Sequence, residues 1–531
     1  MQKRTVLTLM AGLIVIIGLL PVISMLLKSI IIDGHLSLNA YYGLLNSKRQ
    51  WTLLKHSLTL ASLVTILTTV IGVPTGILLG KTNLFLRKLF LLILTVPLLL
   101  PPYIIAVSYS DLLGQEGLLT PLLGSTLMHH INRWLFGLPG CTIVLFSAFL
   151  PIPVIFTIAF LRTVNPHMEE AARLSASWGK VLKGITLPMI LPGIIFSALL
   201  VFLLTFGEFG VPNFLRYGVF PVESFTQFSA FYDFQAATAT SMPMAIITFF
   251  ALLIEACFLR EKTYQIQTVQ DNIQTPVICL QRSHIPLTIA TATMVLCITI
   301  VPIFTLVIKS ANPAAYAWAI NRAGNSLIRS ITYATTGATL LTFSGFLTGY
   351  LIQTRSLKIW RAVDSLTIFL FALPGTVIGI GLISLWNTPW TNFIYASPLI
   401  ILLGYLAKYT AITSRISINQ LAKIPPSMEE AAQITGASWS RRMIFIVLPL
   451  SRHGLITAWL AGYVFSLRDT AITMMVYPAG HDTLPVRIFT LMANGSSEMI
   501  ASLCIILIIA TLLPLGIILL LPMFKRLRYG H

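Results

Sequence analysis

Twelve stretches of this chain are each long and apolar enough to cross a lipid bilayer as helix: about 6–27, 57–80, 89–110, 139–161, 191–215, 241–259, 286–308, 330–353, 365–386, 395–413, 454–475 and 498–521. A hydrocarbon core about 30 Å thick asks for roughly 20 such residues, and only helices satisfy their own backbone groups there without closing a barrel. Only 10% of the 531 residues are charged, against roughly 25% in soluble domains. The expected fold is therefore an all-α polytopic membrane protein. The first stretch follows Lys3 and Arg4 and lacks an evident cleavage site, so it is expected to stay as a helix.

The formal net charge of +18 would suggest nucleic acid in a soluble protein. Here an even number of spans places both termini on one side. If that side is cytoplasmic, most Lys and Arg fall on inner segments, as lipid headgroups favour. The excess is then an orientation signal, and no nucleic-acid partner is needed. The five cysteines form no C-x-x-C pair and read as apolar packing residues rather than redox or metal groups.

The two halves repeat. Ser57-Leu58-Thr59 and Thr75-Gly76 recur as Ser330-Ile331-Thr332 and Thr348-Gly349 at one constant offset, and Pro97 is matched with Pro374. Pro166-His167-Met168-Glu169-Glu170-Ala171-Ala172 recurs as Pro426-Ser427-Met428-Glu429-Glu430-Ala431-Ala432, and Phe220-Pro221-Val222 echoes Leu484-Pro485-Val486. Six spans per repeat give parallel halves, with a pathway expected at their pseudo-twofold interface. The expected division is a first domain at 1–259, a polar cytoplasmic linker at 260–285 and a second domain at 286–531.

The inner loops at about 163–190 and 414–452 are long and amphipathic. Glu-Glu-Ala-Ala is helix-forming, with acids in the first turn and alanines that let another protein approach closely. Acidic residues argue against helices that merely lie on headgroups, which favour Lys and Arg. Ser177-Trp178 and Ser438-Trp439 follow, then Leu187-Pro188 and Leu448-Pro449 as the chain re-enters the membrane.

Glu430-Ala431-Ala432, Gly436, Ile446 and Leu448-Pro449 resemble the E-A-A signature of binding-protein-dependent ABC importer permeases, and with the second copy the resemblance covers nearly the whole chain. It implies two fused permease domains in a bacterial inner membrane. Two copies of a cytoplasmic ATPase subunit, which use ATP and Mg, would each grip one coupling helix, and an extracytoplasmic binding protein would deliver substrate. The residues carried over for coupling are Glu169, Glu170, Ala171, Ala172, Leu187 and Pro188, then Glu429, Glu430, Ala431, Ala432, Gly436, Leu448 and Pro449. The first copy lacks the glycine, with Ala176 nearest to it, so its turn must be built differently. Gly76–Thr82 falls one residue short of a phosphate loop and ends a helix, so no ATPase and no catalytic residue is expected in this chain.

Glu208 and Asp469 sit at equivalent places in their spans, with Arg468 beside the latter. They read either as a gate attractive to a cationic substrate or as groups satisfied by neighbouring helices, with Arg468 a candidate partner. Glu255 is expected to snorkel or to be locally hydrogen-bonded. His129-His130 is expected in an ordinary polar loop without metal. The outer segments around Phe220–Phe231 and Tyr477–Met492 are candidates for meeting the binding protein. Gly207-Glu208-Phe209-Gly210 and the fused layout look most like the ferric-iron branch; thiamine and aminophosphonate importers share the layout. The alternative class is an ion-gradient-driven secondary transporter, against which the parallel halves and paired loops count.

Overall fold

The computed structural model describes residues 2–32, 35–115, 117–258 and 277–528, and those residues are almost entirely helical. Most of the expected linker lies outside them, as does the side chain of Cys257. Among the described residues, eight helices are unbroken, long and apolar enough to span a membrane, and three bent pairs raise the count to as many as eleven. The expected 330–353 stretch lies within the helix Pro313–Gln353, 41 residues long. It carries Thr332, Thr336, Thr339, Thr342 and Thr348, and each hydroxyl donates to the carbonyl four residues earlier. The hydroxyls dilute its hydropathy yet are satisfied within the helix itself.

Two expected spans are not straight crossings. Arg87–Leu99 meets Pro102–Leu113 at 100°, and Trp360–Ala372 meets Gly375–Trp386 at 110°. Leu100 precedes Pro101 and Leu373 precedes Pro374, and both leucines are extended. A residue before proline is pushed out of the helical region, so each break is written in its sequence. The structural partner of Pro374 is thus Pro101, at the same offset as the serine pair. Pro97, matched to it from sequence, lies inside the Arg87–Leu99 helix.

Four five-residue turns of wide π-helix, Val15–Leu19, Leu182–Thr186, Leu296–Ile300 and Met443–Val447, share one cause. Each is followed by an X-Pro pair: Leu20-Pro21, Leu187-Pro188, Val301-Pro302 and Leu448-Pro449. Proline removes a donor from the ladder, and the preceding turn relaxes to i→i−5 bonding.

Close helix crossings recur as well. Gly72 and Gly76 bring Lys48–Lys81 against Pro151–Leu161, where a Cβ on Gly76 would lie 2.6 Å from that of Thr157. Gly345 and Gly349 bring Pro313–Gln353 against Thr413 and Ser417 of Leu399–Leu421 in the same way. Small residues spaced by four let helix backbones meet where hydrophobic burial offers no preference.

The chain forms two compact units, one of Met1–Ser47, Glu223–Ala245 and Ala314–His531, the other of Lys48–Val222 and Ile246–Pro313. Each therefore takes its first helix from the other half of the sequence. In the unit rich in the second half, Gln2–Ile30 is tied by Lys28 Nζ donating to the Ser384 carbonyl at 2.6 Å, and by a Ser24–Ser384 hydroxyl pair. In the other unit, Lys309 lies in the field of Asp111, the counterpart of Ser384. The underlying echo, Lys28-Ser29 with Lys309-Ser310 after the matched X-Pro pairs, is masked in the sequence because the flanking residues differ.

Candidate functional site

The first coupling helix is Pro166–Arg173. Asn165 caps it by accepting from the His167 amide at 3.0 Å, and proline occupies the first helical position. Glu169 turns inward, where its carboxylate accepts from Lys81 Nζ and from the Thr186 hydroxyl at 2.6 Å. The Lys81 and Glu169 side chains are 2% and 1% exposed. Lys81 closes the C-terminal end of its helix, where a cation also suits the dipole. The Trp178 ring lies beside both Lys81 and Arg173. Glu170 and Ala171 face outward, flanked by Met168 and by Leu174, which is 91% exposed.

The second coupling helix, Pro426–Ile434, has the same two faces with different fittings. Glu429 accepts from the Tyr350 hydroxyl at 2.8 Å and lies 3.6 Å from Arg442 Nε. Trp439 Nε1 donates to the Tyr350 oxygen at 3.4 Å, and Lys3 Nζ stands 4.9 Å above the Tyr350 ring. Glu430 and Ala431 are exposed between Met428 and Ile434, the latter 88% exposed. Two helices of matching sequence thus each present a carboxylate, an alanine and two bare apolar side chains.

Their exits differ. Gly436 has φ +82°, and the bonds from its amide to Gln433 and from the Ala437 amide to Ala432 form a Schellman turn. The first loop, one residue shorter, stays right-handed: the Ala176 amide bonds to Ala172, and Arg173 Nη1 donates to the Ala176 carbonyl at 2.6 Å. Leu187-Pro188 and Leu448-Pro449 then follow the wide turns Leu182–Thr186 and Met443–Val447, where each loop enters its long helix.

Those helices run Leu187–Phe206 and Arg452–Leu467 and do not continue to residues 215 and 475 as expected. Both stop at the equivalent acids and restart as Gly210–Phe214 and Ala471–Val476. Glu208 Oε1 accepts from the Gly210 amide at 3.1 Å, and Asp469 Oδ1 from the Thr473 amide at 2.9 Å, so each acid serves amides of the restarted helix. Asp469 is buried and also takes the Tyr409 hydroxyl at 2.7 Å. The counterparts of Tyr409 and Thr473 in the first repeat are Phe149 and Pro212. Arg468 stacks over the Phe465 ring.

On the opposite ends, Ser57 accepts from the Phe220 amide and Ser330 from the Leu484 amide, so two pairs of matched sequence echoes become one repeated contact. The flanking side chains add His56 to the Gly218 carbonyl in one repeat and Arg329 to Asp482 in the other. Gln115, Arg133 and His129 hydrogen-bond together, and His129-His130 lies on the helix Ser125–Leu135 rather than in a loop. Among the described residues no three His, Cys, Asp or Glu side chains group as a metal site. Glu255 is buried. Gly76–Thr82 is helix through Lys81, with Gly76 packed on Thr157.

The model of the family described as "Binding-protein-dependent transport system inner membrane component" matches residues 72–263 and again 345–528, starting at the paired glycines Gly72 and Gly345. A Haemophilus influenzae protein named as a ferric transport system permease, FbpB 1, is 24% identical over 82% of this chain and 71% of its own length. The ferric transport system permease protein FbpB of Actinobacillus pleuropneumoniae is 23% identical over 81% of this chain and 65% of its own. A protein of Sinorhizobium fredii named as an ABC transporter permease, y4fN, is 22% identical over 88% and 87%. With both copies of the family pattern falling on the two helix sets just described, the chain is a multi-pass permease that belongs to the inner-membrane components of binding-protein-dependent ABC transport systems.

Proposed function

We propose that this permease is the translocating subunit of an ATP-driven importer whose cargo is ferric iron, handed over by an extracytoplasmic binding protein. Both termini face the cytoplasm in this reading. Two ATPase subunits, using ATP and Mg, each grip one of the helices Pro166–Arg173 and Pro426–Ile434. The observation that carries the reading is this pair of exposed Glu-Ala faces held on buried or half-buried glutamates. Closure of the ATPases draws the two helices together. The displacement passes through the wide turns at Leu182–Thr186 and Met443–Val447 into Leu187–Phe206 and Arg452–Leu467. The far ends of these helices are the breaks at Glu208 and Asp469, which with Arg468 form the gate. Iron as cargo is supported by the names of the two FbpB relatives.

Uptake of radiolabelled Fe(III) by cells expressing the chain with its ATPase and binding protein tests the proposal. Glu430→Lys is expected to abolish uptake, and a Lys- or Arg-to-Glu reversal in the ATPase cleft to restore it. Undiminished uptake in cells lacking the ATPase would sink the mechanism. A binding protein isolated with an organic ligand and no iron would sink the cargo.

A further inference from the structure

The two coupling helices carry the same glutamate on seats built from unrelated residues. At the position of Lys81 the second repeat has Thr354, whose hydroxyl bonds to its own helix at the Tyr350 carbonyl. At the position of Tyr350 the first repeat has Ile77.

The first seat is closed. Lys81 and Glu169 are both buried, so neither charge can leave its partner without a large desolvation loss. The backbone around Lys81 is itself stapled. Its carbonyl accepts from the Ile278 amide at 2.8 Å, the Asn83 amide donates to the Ile278 carbonyl at 3.3 Å, and Asn83 Oδ1 accepts from the Leu280 amide at 3.0 Å. Arg87 adds a bond to the Thr82 carbonyl at 2.6 Å. The second seat is open. Glu429 is 23% exposed, its ion pair with Arg442 is long at 3.6 Å, and the short bond comes from the neutral Tyr350 phenol. That phenol is in turn capped by Lys3, on the helix Gln2–Ile30 whose other end is fixed by Lys28 and Ser24 to Ser384.

We propose that the coupling helices sit on seats of unequal stiffness, with Lys81 locking the first and Tyr350 and Lys3 acting as positioning residues for the second, so that the helix Gln2–Ile30 sets the pose of the second coupling helix. The functional meaning rests on the coupling role proposed above; the mechanical asymmetry does not. Lys3 is remote in sequence from the helix it steadies, and a change in its helix reaches residues 426–434 through the Tyr350 ring and through the packing of Gln2–Ile14 on Trp439–Arg442.

Hydrogen exchange read by mass spectrometry on the full chain in lipid nanodiscs tests this. In the unmodified chain, amides of 166–173 should exchange more slowly than those of 426–434. Tyr350→Phe and Lys3→Gln should each speed exchange at 426–434 alone, with Tyr350→Phe giving about tenfold to a hundredfold, the size of one hydrogen bond to a charged group. Lys81→Met should speed 166–173 alone, and Lys81→Met with Glu169→Met should bring it back. Equal exchange of the two helices in the unmodified chain, or no change at 426–434 in both Tyr350→Phe and Lys3→Gln, overturns the proposal. A second readout belongs to the assembled complex. Lys3→Gln should leave the ATPase subunits bound while raising the ATP hydrolysed per Fe(III) transported, which a merely structural defect would not do. If the unmodified chain captures no ATPase at all, the coupling role fails while the exchange result stands, so the two failures are told apart.

Discussion

Glu169 points into its unit and Glu170 away from it because Lys81 offers a buried cation on one side only. The motif identified both carboxylates, but nothing in its spacing says which is the anchor, since the partner lies on another helix 88 residues earlier. Removing the anchor strands a buried ammonium, so Glu169→Gln should cost about 3–5 kcal/mol of stability. Glu170→Gln should stay within about 0.5 kcal/mol. Thermal unfolding of the detergent-solubilised chain separates them. The same logic applies to Asp469, which was legible as an intramembrane acid but not as a helix cap. Its bond from Tyr409 has no counterpart at Phe149, and Tyr409→Phe should cost about 1.5–3 kcal/mol in the same assay.

Elements in this chain are punctuated by proline and fitted together by glycine. Four X-Pro pairs each follow a widened turn, and two more break a span into halves meeting at 100° and 110°. These signals were in plain view, yet hydropathy counts apolar residues and is blind to a break that leaves them apolar. Hydropathy therefore marks 89–110 and 365–386 as single spans without showing the bend. The glycine pairs carry a harder constraint. Gly76→Val and Gly345→Val each place carbon inside a neighbouring helix, and each should lower the yield of folded chain, read by size-exclusion profile, by about tenfold or more. Gly436→Ala meets no neighbour; its penalty is the left-handed backbone alone, about 1 kcal/mol, and ATPase capture should survive it.

Across the whole molecule, the order of the repeats was legible from short polar echoes, and the structure shows what several of them do: Ser57 and Ser330 each hold the amide of a matched Phe220 or Leu484. The spatial grouping was not legible, because packing between helices distant in sequence leaves no local pattern. Each unit borrows its first helix from the other half. Residues 1–259 and 277–531 expressed as two chains should therefore accumulate only together, as judged by membrane immunoblot after pulse–chase; stable accumulation of either alone would contradict the grouping.

That borrowing also sets a timetable for synthesis. The helix Gln2–Ile30 leaves the ribosome long before its partner, because the Ser384 carbonyl that receives Lys28 is made 356 residues later. At roughly 5–20 residues per second, the helix waits in lipid for some tens of seconds before its groove exists. During that interval Lys28 and Ser24 lack their Ser384 partners, and only a chain translated well into its second half supplies them. A chain truncated before residue 384 never makes the contact that seats this helix.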